Sequence, residues 1–314
     1  MLDYPWADEE VPSLVAVDDG EVIGFIGTHA RRVRLDGEPI RAVCATHVVV
    51  APGSRAGATG FHLLGRVLRG PQDFSFSDSA TDAVMRIWRT LGGYVDHARI
   101  CDWMIVLRPA RWLGRVIEAA ARRQSLGRSI VPVGAFPAQA LGSSLLRREV
   151  PELPSDVAAE PATTATIVEN LPAITGRLRL VVDYDQQHLD HLLSQVEEFW
   201  GPAELRLVRR GERPVGWYAW VLAANGVGRV LHVAALEREV DSVLAELVAH
   251  ARERGSAVLT GRGEPNLTEA LGRRLAVFGV ARRPILHTSN PELAAVLATE
   301  SSLLTRLDGE AFYT

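Results

Sequence analysis

The chain has 314 residues, about twice the usual domain length, with 47% hydrophobic and 23% charged residues; that balance fits two packed domains and argues against disorder. The formal net charge of -4 gives no overall attraction to nucleic acid or to an anionic membrane. Every basic residue is Arg and none is Lys, which excludes Schiff-base and P-loop lysine chemistry.

Two cysteines, Cys44 and Cys101, are too few for a disulfide framework and have no metal-ligand spacing, so no metal is expected. The segment 1–10 lacks the basic and apolar regions of a signal peptide, and no apolar run reaches about 18 residues. The expectation is a cytoplasmic protein with no membrane partner.

The elements begin with SLVAVDDGEVIGFIG, two β-branched runs around Asp18-Asp19-Gly20, which predicts a hairpin. A second hairpin turns at Asp36-Gly37 into the apolar run Ile40 to Val50, the pattern of a strand covered on both faces. Ala51-Pro52-Gly53 ends it, and Gly60, Leu64, Val67 and Leu68 then fall on one helical face. A strand at Phe74 to Ser77, a helix over Ser79 to Leu91 and strands from Tyr94 to Leu107 follow. Trp112 to Arg123 reads as helix, and PELPSDVAAEPATTAT as a linker. From Leu178 the order repeats: a strand (LRLVVDY), a helix (185–200), a hairpin at Gly211-Glu212, the strand VGRVLHVAA and a helix (237–254). A strand (257–260), a helix (267–275) and a strand (277–287) complete it. This is an internal duplication of topology with little identity between the halves.

Read against the signature R/Q-x-x-G-x-G/A, the segment VVVAPGSRAGATGFHLL, Val48 to Leu64, gives Arg55, then Ala58 in place of the first glycine, then Gly60. With the hairpin DDGEVIGFIG before it and MRIWRTLGG after it, the stretch 13–107 resembles the GNAT (GCN5-related N-acetyltransferase) superfamily. The resemblance implies an α/β fold of two GNAT-like domains in tandem, with mixed, mostly antiparallel sheets and flanking helices. The expected division is a donor-binding domain at 1–108, a connector at 109–176, and a GNAT-like domain at 177–314 without a recognisable donor loop. In the second half, LEREVDSV stands where the loop should be, and its acids would repel a pyrophosphate.

The resemblance implies acetyl-CoA or another acyl-CoA as donor substrate. Val48 and Val50 would offer main-chain contacts to the pantetheine, and Arg55, Ala56, Gly57, Ala58, Thr59 and Gly60 would cradle the pyrophosphate. Physically, a loop entering a helix turns successive N–H groups toward an anion, aided by the helix dipole, and small residues let a phosphate approach. Asp82 stands where the family often has a cofactor-binding Asn. Trp88 stands where it has a Tyr acid, a role that Trp cannot fill. Tyr94 is a substitute acid. For the base, His47 has an ordinary pKa near neutrality, and Asp78 could bind an acceptor ammonium or cap the following helix. Glu38 and Cys44 are further options for the base; Cys44 also reads as a buried strand residue. His188 and His191 read as a solvated helix face, and Trp217 to Trp220 as core. About a dozen residues precede the first hairpin, so the acceptor wall is expected from the second domain or the connector.

The first functional expectation is an N-acyltransferase acting on an amine of a small molecule by direct attack. Alternatives are aminoacyl transfer from aminoacyl-tRNA, as in Fem-type ligases, for which the Arg clusters at 31–34, 122–123 and 206–210 speak, or a non-catalytic binding protein of the same fold. A homodimer would be ordinary for such folds.

Overall fold

The structure, a computed structural model, describes residues 4–53, 56–114, 153–274, 276–280 and 284–310. The first elements are β1 (Leu14–Asp18), β2 (Glu21–Leu35), β3 (Glu38–Val50), α1 (Ala56–Leu68), β4 (Phe74–Ser77), α2 (Asp82–Thr90), β5 (Tyr94–Val95) and β6 (Cys101–Val106). After the gap come β7 (Val157–Pro161), α3 (Thr164–Thr175), β8 (Leu180–Val182), α4 (Gln186–Trp200), β9 (Ala203–Arg210), β10 (Arg213–Leu222) and β11 (Val227–Ala235). The last are α5 (Val240–Glu253), β12 (Val258–Arg262), α6 (Thr268–Arg273), β13 (Val277–Val280), β14 (Ile285–His287), α7 (Pro291–Leu297) and β15 (Ser302–Leu303). The helix expected over Trp112 to Arg123 lies largely outside the described residues.

Both early hairpins form where the sequence puts them. Asp19 and Gly20 have φ of 49° and 84°, and Asp36 and Gly37 have 52° and 88°, the paired left-handed conformation that matches strand twist. The strands β2 and β3 stay paired from the second turn to Val50. Leu63, Leu64 and Val67 of α1 and Met85 and Trp88 of α2 pack on the sheet residues Ile26 and Val43. Thr81, rather than Asp78, caps α2, its Oγ1 accepting the Val84 N–H at 3.4 Å.

Packing divides the chain differently from the expected 1–108, 109–176 and 177–314. Unit 1 comprises Met1–Ile100, Gly176–Gln195 and Arg282–Thr314, and unit 2 comprises Cys101–Thr175 and Val196–Ala281. The sheets explain why. One has the order β15-β8-β2-β3-β4-β14-β5, with β1 on β2; the other has β13-β6-β12-β11-β10-β9-β7. The run Tyr94 to Leu107 does not stay in one sheet: β5 pairs with β14, while β6 pairs with β12 and β13. Val277 to His287 splits in the same way into β13 and β14. Each unit thus has, between two of its strands, one from a distant part of the chain. LRLVVDY also joins unit 1, through β8 on β2.

The stretch read as a linker is structured. β7 is an edge strand on β9, where Pro161 is tolerated. α3 buries Ile167, Leu171 and Ile174 at helical spacing; Pro172 inside it and the Ala/Thr/Pro composition hid the helix. In unit 2, Trp217, Tyr218 and Trp220 of β10 are fully buried, the latter two in the core cluster with Leu244 and Leu247 of α5.

Several buried histidines are held neutral. His232 lies flat against Trp217 with centroids 4.0 Å apart, and burial pushes its pKa down to about 3. In unit 1, burial and then the Arg31 charge lower His29 to about 3 and hold His188 far below its usual value. His188 stacks on Trp6 at 3.4 Å and meets the Tyr4 hydroxyl at 2.9 Å, so it is core and not a solvated face.

Two predictions follow from this architecture. A fragment of residues 1–108 lacks β8, β14 and β15 of its own sheet; calorimetry should find no cooperative transition in it, and a sharp one would contradict the strand exchange. The folded state keeps these histidines unprotonated while the unfolded chain takes up protons below about pH 6.5. Stability should therefore fall as pH drops from 6.5 toward 3, by up to about 1.4 kcal/mol per pH unit and histidine. Melting at pH 7 and pH 5 checks this; His232→Phe should shrink the difference, and an unchanged difference would refute the assignment to that residue.

Candidate functional site

β3 and β4 pair in parallel for three positions, Ala42↔Phe74, Val43↔Ser75 and Cys44↔Phe76, and then diverge. On its other edge β3 has a bulge: Gly27 pairs with Thr46 but Phe25 with Val49, so an extra residue in β3 bends the strand away. His47 lies in the bulge with φ 52°, a left-handed conformation uncommon outside glycine. The strand thus carries one unusual backbone conformation at the place where its neighbour leaves it.

Between the diverging ends lies a cavity of about 210 Å³. Ala45 to Val48 of β3 form one wall, and Ser77 with Ser79 to Thr81 the other; Val84 and Trp88 of α2 and the carboxyl of Glu310 complete it. Glu310 is 4% exposed. Its side chain accepts hydrogen bonds from the Ser77 hydroxyl and from Thr46 and Ser79. Burial raises its pKa, and the neighbouring Asp78 charge raises it further. Thr46 Oγ1 also lies 2.6 Å from His47 Nδ1. A short polar path therefore runs from the buried Glu310 through Thr46 to His47, which is exposed at the rim. Burial lowers the His47 pKa, keeping the ring neutral at physiological pH.

Glu310 has no counterpart in the sequence reading. Ser77 is 233 residues away, and Asp308-Gly309-Glu310 looks like any polar turn. Two fully buried arginines bring this segment into unit 1. Arg99 pairs with Asp96 at 3.0 Å and donates to the carbonyls of Leu297 and Leu304 at 2.8 and 3.0 Å and to Ser302 Oγ at 2.6 Å. Arg31 donates to the Asp308 carbonyl at 2.9 Å. Part of the cavity wall thus comes from this late segment of the same unit.

The expected donor loop follows Val50. Arg55 lies outside the described residues, and Ala56 opens α1. Gly57 and Ala58 are exposed at the start of the helix, with no heavy atom within 4 Å of the Cβ position at Gly57 and no acid in the first turn. Thr59 and Gly60 follow; Gly60 approaches Ile87 and Val50 at ordinary contact distance. The first amides of a helix have no partner within it, and here the first turn carries no acid and leaves open space at the Gly57 Cβ position. These features fit a phosphate-bearing donor: a cradle of small residues at α1, and a strand end freed from β4 at Val48 and Val50.

The other candidates are less central. Asp78 is 1% exposed but does not line the cavity; its Oδ1 accepts the Glu310 N–H at 2.9 Å. Tyr94 is half-buried on β5 away from the cavity, its pKa raised by burial and by Asp96, and its hydroxyl is buried without a partner. Asp82 is exposed at the start of α2, and Trp88 is fully buried. Cys44 is buried in β3, and Glu38 is exposed at that strand's far end. Among the described residues, no cluster of His, Cys, Asp and Glu could hold a metal ion, and no helix is long and apolar enough to cross a membrane. The arginines of two clusters are engaged within the chain: Arg32 with Asp185, Arg34 with Asp183, Arg209 with Glu160 and Arg210 with Glu239 and Asp156. Arg122 and Arg123 lie outside the described residues.

Unit 2 repeats the frame without the cradle. β11 and β12 pair in parallel at Val227↔Val258 to Arg229↔Thr260. The link to α5 is a single helical turn, Glu237–Glu239, whose Glu239 is bonded to Arg210, and Asp241 occupies the first turn of α5.

Neither a family model nor a curated protein matches the sequence, but solved structures match the fold. A GCN5-related N-acetyltransferase from Kribbella flavida aligns with a TM-score of 0.54 and 17% identity over 88% of this chain and 60% of its own. One from Anabaena variabilis gives 0.57 and 13% over 89% and 63%. Eis1 from Mycobacterium abscessus gives 0.51 and 16% over 91% and 66%. The chain has the GNAT fold, with two such units in tandem, and spans about three fifths to two thirds of the length of these structures.

Proposed function

We propose that the protein is an N-acyltransferase, taking a short acyl group from an acyl-CoA such as acetyl-CoA and transferring it to an amine of a small molecule. The observation that carries this reading is the cavity between β3 and β4, small, lined by the buried Glu310 and by Val48 of the strand that leads to the acid-free start of α1. The main chain at Val48 and Val50 pairs with the extended arm of the donor. The amides at the start of α1, with Arg55, receive its phosphates, and the small residues up to Gly60 let them approach. The amine attacks the thioester carbonyl directly, and Glu310 takes the proton that the amine loses. A carboxyl with a raised pKa is a better base than an ordinary one. The proton then leaves through the Thr46 hydroxyl and His47 to water. The Trp88 indole N–H is far too weak an acid to give up its proton, so the leaving thiolate is protonated by solvent. Most of the acceleration comes from positioning and from main-chain N–H groups facing the carbonyl.

Aminoacyl-tRNA as donor has less support, because the arginines at 32, 34, 209 and 210 already face carboxylates of this chain. The free cysteines fit a reducing, cytoplasmic setting.

The test is thermal melting with and without acetyl-CoA, joined to turnover on a panel of amines. Saturation at a hundred times Kd stabilises by about 2.7 kcal/mol. That shift is expected in the wild type and in Glu310→Gln and should be absent in Gly57→Asp, which places an anion in the open space at the start of α1. Glu310→Gln should lower kcat by about 10²–10⁴-fold, and the acid limb of the wild-type rate should lie above the usual carboxylate range, since burial holds Glu310 protonated there. No shift with any acyl-CoA would overturn the donor; full activity in Glu310→Gln would overturn the base.

A further inference from the structure

Asp78 is buried beside the cavity and yet faces the main chain rather than the open space. Its Oδ1 accepts the Glu310 N–H at 2.9 Å. The same carboxylate fills the volume that a side chain at position 309 would need: a Cβ on Gly309 would overlap Oδ2 and Cγ and lie 2.7 Å from Oδ1. Gly309 has φ -87°, a conformation open to any residue, so it is glycine for space and not for backbone freedom. One residue earlier, Arg31 Nε holds the Asp308 carbonyl at 2.9 Å. The Thr305–Asp308 capping box fixes the turn before that, with the Thr305 N–H bonded to Asp308 Oδ2 at 2.6 Å. The chain at 308–310 is thus gripped at consecutive peptide groups, a carbonyl by a cation and an amide by an anion. Ser77, next to Asp78, then meets the Glu310 carboxyl itself.

We propose that Asp78 is a positioning residue: with Gly309 admitting it, its carboxylate clamps the main chain of Glu310 so that the Glu310 side chain enters the cavity beside Thr46 and Ser77. The proposal rests on the acyl-transfer reading and assigns Asp78 an action through Glu310 instead of on the acceptor ammonium.

The experiment compares Asp78→Asn, Asp78→Ala and Gly309→Ala in the full chain, with acetyl-CoA and any amine that the wild type acetylates. Asparagine keeps an oxygen to accept the Glu310 N–H but removes the charge that raises the Glu310 pKa, so Asp78→Asn should retain kcat at its pH optimum within about threefold with the acid limb moved to lower pH, whereas Asp78→Ala and Gly309→Ala should lose about tenfold or more. The KM for the donor should not move. Combining Asp78→Ala with Glu310→Gln should cost no more than Glu310→Gln alone, because both remove one function. Amide hydrogen exchange at Glu310 gives a readout independent of turnover: protection should survive in Asp78→Asn and be lost in Asp78→Ala while the melting transition stays cooperative. Equal damage from Asp78→Asn and Asp78→Ala, confined to the acceptor KM, would overturn the clamp and make Asp78 an acceptor ligand. Unchanged protection in Asp78→Ala would overturn it as well. Absence of any turnover by the wild type, with the exchange pattern as expected, would instead sink the acyl-transfer reading and leave the clamp standing.

Discussion

Two guanidinium groups shielded from water hold the site together. Arg31 and Arg99 are fully buried, and a buried charge is tolerated only when its donors find acceptors. Most of those acceptors are main-chain carbonyls, and three of them, at Leu297, Leu304 and Asp308, belong to the same late stretch of chain. The penalty for exposing either cation to an apolar interior without partners is large, so the stretch is fixed wherever the arginines are fixed. Arg31 is fixed by β2, and Arg99 by Asp96 just after β5. Glu310 reaches the cavity as a consequence of that bonding. Its acidity follows in turn, since the burial that the arginines impose is what raises its pKa.

The local features of unit 1 were legible because they depend on neighbours in sequence. Asp19-Gly20 and Asp36-Gly37 encode turns through their own backbone preferences, and the break at Ala51-Pro52-Gly53 encodes the end of β3 before the α1 helix. Sheet membership is not encoded that way. Tyr94 to Leu107 reads as extended whichever sheet takes each part, and periodicity carries no label for the partner strand. The same blindness hid which sheet takes β8, read as the strand LRLVVDY, and β14, whose Ile285 and Leu286 are buried by strands they do not adjoin in sequence. β7 and α3 were lost for another reason: Pro, Ala and Thr resemble a linker until Ile167, Leu171 and Ile174 are seen to share one buried face. At the site, His47 was visible by its chemistry. Glu310 was not, because nothing near it in sequence marks it as internal.

The two units are a controlled comparison of one frame with opposite electrostatics. In each, a helix connects the two strands of a parallel pair, its first turn following the end of the first strand. In unit 1 that turn has no acid and small residues. In unit 2 the corresponding turn has Asp241 bonded to Arg273 and Arg274, preceded by Glu239 bonded to Arg210. Those pairs fill the place with the chain's own charges. A helix start of this kind satisfies itself and has no need of an external anion.

The exchange of β6 and β14 also governs how the protein is made. As the chain emerges from the ribosome, β4 and β5 appear with the slot between them empty, and the strand that fills it, Ile285–His287, follows about 190 residues after β5. β6 waits likewise for β12. Contacts of such long sequence separation form slowly, and unpaired strand edges invite association with other chains in the interval. Neither half can therefore mature on its own during translation. The nascent chain should depend on chaperones for longer than two independent domains of this size would, and a ribosome stalled before residue 285 should release a product that the cell treats as unfolded.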